Sequence, residues 1–122
     1  GDEPAILAEL DRLYASSGRN EALADVIERR VAVANQDEAI ELLVRLGELR
    51  QTRFNDARSA LNAYRDVLER APGDARVTEK LEGLISERTL APEIVELLEN
   101  AYRSNGEVAH TREYILVSGV RR

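Results

Sequence analysis

His110, the single histidine, is the side chain whose ordinary pKa best suits general acid–base work near neutrality. A catalytic histidine needs an orienting partner and a pocket. Its neighbours Ala109 and Thr111 supply neither, so a surface histidine is expected. Glu38 with Glu41, and Glu93 with Glu96, stand one helical turn apart, where two carboxylates could share a metal ion. Carboxylate metal sites in helical bundles pair such acids with Glu-x-x-His motifs on two helices, which one histidine cannot furnish. Solvated helix faces account for these acids. Ser16-Ser17-Gly18 has the small residues of a phosphate loop, but no lysine follows and no strand precedes it, so it reads as a helix end. There is no cysteine, hence no thiol nucleophile, disulfide or Cys-ligated zinc. Catalytic residues, metal ligands and a bound cofactor are all expected to be absent.

Arg29-Arg30 and Arg121-Arg122 could hold a phosphate, yet each pair is short and set among acids, which favours a solvated face or ordinary ion pairs. Tyr14, Tyr64 and Tyr102 recur at helical spacing and are expected to pack between helices rather than to stack on bases. Tyr114 is the aromatic expected to be exposed.

The net charge of −6 and pI near 4.9 disfavour a nucleic-acid or anionic-membrane surface, each of which needs a basic patch. All but one of the 17 basic residues are arginine, Lys80 being the exception. No run is long enough to cross a membrane and no signal-like segment is visible, absences that favour the cytoplasm without fixing a compartment. The chain of 122 residues opens Gly1-Asp2 without an initiator methionine, so a piece of a longer repeat protein is expected. A hydrophobic content of 43% with three prolines and seven glycines suits one all-α domain packed by leucine, isoleucine, valine and alanine.

The helices that must carry these side chains centre on residues 40–72. Ile40, Leu42, Leu43, Leu46 and Leu49 form one apolar face, and Ala57, Ala60, Leu61, Tyr64, Val67 and Leu68 form another. Asn55-Asp56 supplies a turn and an N-cap between them, and Pro72-Gly73-Asp74 ends the second helix. On either side, helix one is expected from Asp2-Glu3-Pro4 to a left-handed cap at Ser17-Gly18. Helix two follows, capped by Asn20 and ending at Asn35-Gln36-Asp37. Helix five follows Gly73-Asp74 and runs to about Arg88. Helix six runs from Ala91-Pro92-Glu93 to Ser104-Asn105-Gly106.

Leu10-x-x-Leu13 returns 36 residues later as Leu46-x-x-Leu49, and 35 later again as Leu81-x-x-Leu84. The following helices align too: Leu23 and Ile27, Ala60 and Tyr64, Ile94 and Leu98. Such a period marks stacked helical hairpins. The central unit resembles the tetratricopeptide repeat through Leu43-x-x-Leu46-Gly47, Ala60-x-x-x-Tyr64 and Pro72. It departs from that pattern at Leu43 and Arg50, where the family has tryptophan and tyrosine. Asp11 and Glu82 take the glycine place in the outer units, and Leu23 and Ile94 the alanine place, which predicts looser or differently angled pairs there. The resemblance covers roughly residues 4–106 and implies a right-handed α-solenoid of about three units, 4–37, 38–74 and 75–106.

It further implies a non-catalytic scaffold that binds a peptide or helix on the concave surface made by the first helix of each unit. Carried across, that surface is Ala5, Ala8, Arg12 and Ser16, then Glu41, Val44, Glu48 and Gln51, then Arg76, Glu79, Gly83 and Ser86. Its mixed charge points to a basic or mixed-charge protein or peptide partner, with neither nucleic acid nor membrane. The alternative is a structural module that self-associates, as a homo-oligomer, through Tyr114, Leu116 and Val117. Residues 107–118 read as a short helix that caps the array or opens a further unit, with strand or coil as the other reading.

Overall fold

Every regular element among the described residues is an α-helix: α1 (Pro4–Ser17), α2 (Asn20–Val33), α3 (Gln36–Thr52), α4 (Ala57–Arg70), α5 (Ala75–Gly83) and α6 (Ala91–Ser104). A computed structural model describes residues 3–85 and 90–104 of the chain.

The helix ends follow from the punctuating residues. Pro4 opens α1, where its missing N–H costs nothing, and Gly18 closes it in the left-handed conformation at φ 73° and ψ 18°. The Asp56 carboxylate accepts from the Ser59 N–H at 3.1 Å, capping α4, while Asn55 turns the chain at φ 51°. Asp74 caps α5 by accepting from the backbone N–H groups of Arg76 (3.0 Å) and Val77 (3.3 Å).

Three boundaries differ from expectation. Asn20 lies inside α2 as its first residue, and Arg19 takes the capping place without a side-chain bond. The left-handed turn at Gly18 returns the Arg19 N–H to the Tyr14 carbonyl at 3.0 Å, leaving no room for a longer linker. Asn35 starts a helix rather than stopping one: its side chain accepts from the Glu38 N–H at 2.9 Å, and α3 begins at Gln36. Asparagine serves both ends of helices, so the residue type alone left the direction open. Helix α5 ends at Gly83 rather than near Arg88, its last turn tightened by Leu84 N–H to Leu81 carbonyl at 3.0 Å and Ile85 N–H to Glu82 carbonyl at 3.3 Å.

The chain divides into two compact units, Gly1–Tyr64 and Arg65–Arg122, with the division inside α4. In the first, α1 packs on α2 and α2 on α3. Leu7, Leu23, Val26, Ile27, Leu42, Leu43, Val44 and Leu46 are buried there, along with Ala60, Leu61 and Tyr64 from the start of α4. In the second, α5 packs on α6, and Val67, Leu68, Val77, Leu81, Leu84, Leu90, Ile94, Leu98 and Ala101 are buried. Each such leucine or isoleucine contributes roughly 1.5–3 kcal/mol through removal from water. That burial stabilises helices which would be marginal in isolation.

Gly47 shows why the central hairpin needs a small residue. A Cβ placed on it would lie 2.8 Å from Tyr64 Cδ1 and Cζ, and closer still to Cε1. Tyr64 is fully buried and its hydroxyl donates to Gln51 Oε1 at 2.9 Å, so the ring is held at both ends. The sequence pairing of Gly47 with Ala60-x-x-x-Tyr64 thus corresponds to a close approach of α3 and the first turns of α4.

Candidate functional site

The concave-face residues assigned from the repeat differ widely in what they can offer a ligand. In the first unit Arg12 and Ser16 are exposed on α1. Arg12 forms a close ion pair with Glu9 one turn away, and the Ser16 hydroxyl donates to the Leu13 carbonyl at 3.1 Å. Glu41 is exposed on α3 and Glu48 is half-buried near the charge of Arg45. Gln51 is half-buried, with its side-chain carbonyl taken up by Tyr64. Burial, with the Glu48 charge nearby, pushes the Tyr64 hydroxyl pKa up, so that hydroxyl is a neutral donor at neutral pH.

Val44 is a correction. It is only 5% exposed and belongs to the core, so it has no face to give a ligand. Buried residues on α3 include Leu42, Leu43, Val44, Leu46 and Gly47, a wider apolar arc than a terminal helix carries. That arc takes in the position the repeat pattern would leave open.

Asp11 is what the sequence reading missed. Read there only as the loss of a small residue, it is 5% exposed and gathers two guanidinium groups. Arg45 of α3 reaches it in a two-point pair, Nη1 to Oδ2 and Nη2 to Oδ1, both 2.9 Å. Arg30 of α2 donates to Oδ2 at 2.6 Å and also to Glu38 at 3.2 Å. Charge-assisted paired bonds of this kind are the strong class, and they satisfy a carboxylate that burial alone would destabilise. The bond from Arg45 chiefly, opposed by burial and supported by Arg30, holds the Asp11 carboxyl below the usual range. The signal in the sequence was Asp11 alone, a charged residue at the place where the repeat has glycine.

Arg50, standing where the family has tyrosine, also links helices. It forms a close ion pair with Glu28 of α2 and donates to the Ser59 carbonyl of α4 at 3.5 Å. In the second unit, Glu82 at the glycine place accepts from the Tyr102 hydroxyl of α6 at 2.9 Å. Both outer hairpins therefore place an acid where the central one has glycine, and each acid is answered by a donor on the facing helix.

Arg76 and Glu79 are exposed on α5, Arg76 folding back onto its own cap Asp74 at 2.9 Å. The pair with Arg76, ahead of the opposing burial and the cap bond from Val77, lowers the Asp74 carboxyl pKa. A shallow cleft of about 210 Å3 between α4 and α6 has Leu68, Leu97 and Ala101 with Pro72 in its lining and Arg65, Glu69 and Asn100 as its polar groups. The repeat pattern gave no hint of it.

His110, Tyr114, Leu116, Val117 and the segment 107–118 lie outside the described residues, as does Ser86. Among the described residues no three His, Cys, Asp or Glu side chains gather closely enough to hold a metal ion, and no helix is long and apolar enough to cross a membrane. What the surface offers chemically is charge, hydrogen bonds and small apolar recesses. No family model matches the chain, nor does any curated protein or solved structure.

Proposed function

We propose that the chain is a non-catalytic scaffold of tetratricopeptide-like hairpins, stacked in a right-handed superhelix, that binds a peptide or helical segment of another protein. The observation that carries this reading is the approach of Gly47 to the Tyr64 ring. It is the contact for which the repeat reserves a small residue, and it occurs in the unit whose sequence fits the repeat best. The packing of α1 on α2 and of α5 on α6, each pair consecutive in the chain, supports the same reading.

The ligand residues in this reading are Arg12, Ser16, Glu41, Glu48 and Gln51 in the first unit, and Arg76 and Glu79 in the second. Their charge is mixed within a chain of net charge −6, which suits a basic or mixed-charge segment. The test is peptide selection from a displayed library, followed by binding to Glu48→Arg and Arg12→Glu. Weakened binding by either charge reversal supports the groove, and full affinity in both removes it.

A further inference from the structure

Arg50, Gln51 and Thr52 close α3, and their side chains are committed to different degrees. Arg50 is taken up by Glu28 and the Ser59 carbonyl, and the Thr52 hydroxyl donates to the Glu48 carbonyl at 2.8 Å. Gln51 is committed at one atom. Its Oε1 accepts from the Tyr64 hydroxyl at 2.9 Å, and among the described residues its Nε2 has no hydrogen bond.

That bond follows from the packing that requires Gly47. Gly47 and Gln51 stand one turn apart on one face of α3, and the missing Cβ at Gly47 lets the Tyr64 ring lie against that face. The ring is fully buried, so its hydroxyl meets Gln51 from a fixed direction. Burial first, then the Glu48 charge, keeps that hydroxyl protonated, and it serves as a donor. A carboxamide has one acceptor oxygen and two N–H donors. With the oxygen engaged, what the half-buried Gln51 has left for a ligand is its donors.

Such donors select a carbonyl or carboxylate oxygen. Glu41 and Glu48 on the same helix, in a chain of net charge −6, disfavour a carboxylate and leave the neutral carbonyl. An extended segment keeps its backbone carbonyls open, whereas a helix interior has committed them to its own N–H groups.

We propose that the Gln51 carboxamide, oriented by Tyr64, takes a main-chain carbonyl of an extended peptide, which makes Tyr64 a positioning residue for the ligand. The inference rests on the groove reading above and narrows its ligand to an extended segment.

A peptide selected against the whole chain from a displayed library tests it, with affinities read by fluorescence anisotropy and folding checked by circular dichroism melts. Gln51→Ala is expected to weaken binding about five- to tenfold, the effect of losing one hydrogen bond. Tyr64→Phe keeps the buried ring and is expected to weaken binding about threefold, because the amide loses its orientation. In the Gln51→Ala background the same Tyr64→Phe change is expected to have no further effect, since Tyr64 acts through Gln51. Without any substitution, the Gln51 side-chain N–H signals are expected to shift saturably with the peptide in 15N spectra, and the peptide to gain no helix on binding. Full affinity in Gln51→Ala overturns the inference and leaves the groove standing. An equal loss from Tyr64→Phe in both backgrounds, unmoved Gln51 side-chain signals, or helix gained by the peptide each overturns it as well. If no selected peptide binds, the groove reading falls and this inference with it.

Discussion

Asp11 and Arg45 meet through two parallel hydrogen bonds of 2.9 Å, tying α1 directly to α3. Arg30 joins them from α2, so one carboxylate holds three successive helices. Its position is the one where the repeat pattern has glycine.

Replacing Asp11 by asparagine keeps the shape but removes the charge that Arg45 and Arg30 share, Arg30 retaining only its bond to Glu38. Arg45 is 42% exposed at its side chain and Arg30 20%, so both regain part of their hydration and the loss stays below that of a fully buried pair. Urea unfolding of Asp11→Asn is expected to show a loss of about 2 kcal/mol. Arg45→Gln is expected to cost less, since Arg30 remains to answer the carboxylate.

The same network predicts acid sensitivity. The Asp11, Asp56 and Asp74 carboxyls are all lowered relative to ordinary values: Asp11 first by Arg45, Asp56 first by the Ser59 N–H, Asp74 first by Arg76. A depressed carboxyl stabilises the fold fully above its unfolded-state pKa, and that stability is lost as pH falls through the folded-state pKa. Urea midpoints are therefore expected to hold steady near neutrality and to fall on acidification below the ordinary carboxylate range. In Asp11→Asn the fall is expected to be shallower; an identical slope would mean that Asp11 is not a source of it.

Gly47 and Gly83 should respond oppositely to alanine. At Gly47 the new methyl meets the fully buried Tyr64 ring, and the overpacking exceeds the helix-propensity gain of about 1 kcal/mol, for a net loss of about 2 kcal/mol. At Gly83 nothing lies within 4 Å of the added Cβ, so alanine is expected to stabilise by a few tenths of a kcal/mol up to about 1. Thermal unfolding of the two variants side by side reads the difference in sign.

Gly18 is constrained by backbone rather than by space: no atom lies within 4 Å of its Cβ site, but its φ is 73°. Gly18→Ala is expected to lower stability by about 1 kcal/mol, the penalty of a left-handed residue bearing a Cβ. An unchanged melting temperature would contradict that reading of the α1–α2 turn.

The helices were legible because leucine spacing and punctuation agree over most of the chain. Leu42 and Leu46, Ala60 and Tyr64, Pro4, Gly18 and Asp74 all do what their types and positions suggest. Asn20 and Asn35 were less legible, because asparagine marks helix starts and helix ends alike, and only the tertiary path decides. Asp11, Arg45 and Arg50 were opaque for another reason. Long charged side chains act across helices, and periodicity along one helix carries no sign of which distant charge they reach. Val44 was misplaced on the open face because a central helix is covered over a wider arc than the repeat pattern alone implies.

The scaffold reading is tested most directly by NMR chemical-shift mapping of the 15N-labelled chain with a peptide selected from a displayed library. The account predicts saturable shifts concentrated at Arg12, Ser16, Glu41, Glu48, Gln51, Arg76 and Glu79, abolished by combining Glu48→Arg with Arg12→Glu. Shifts confined to other faces, and undiminished in that double variant, would contradict it.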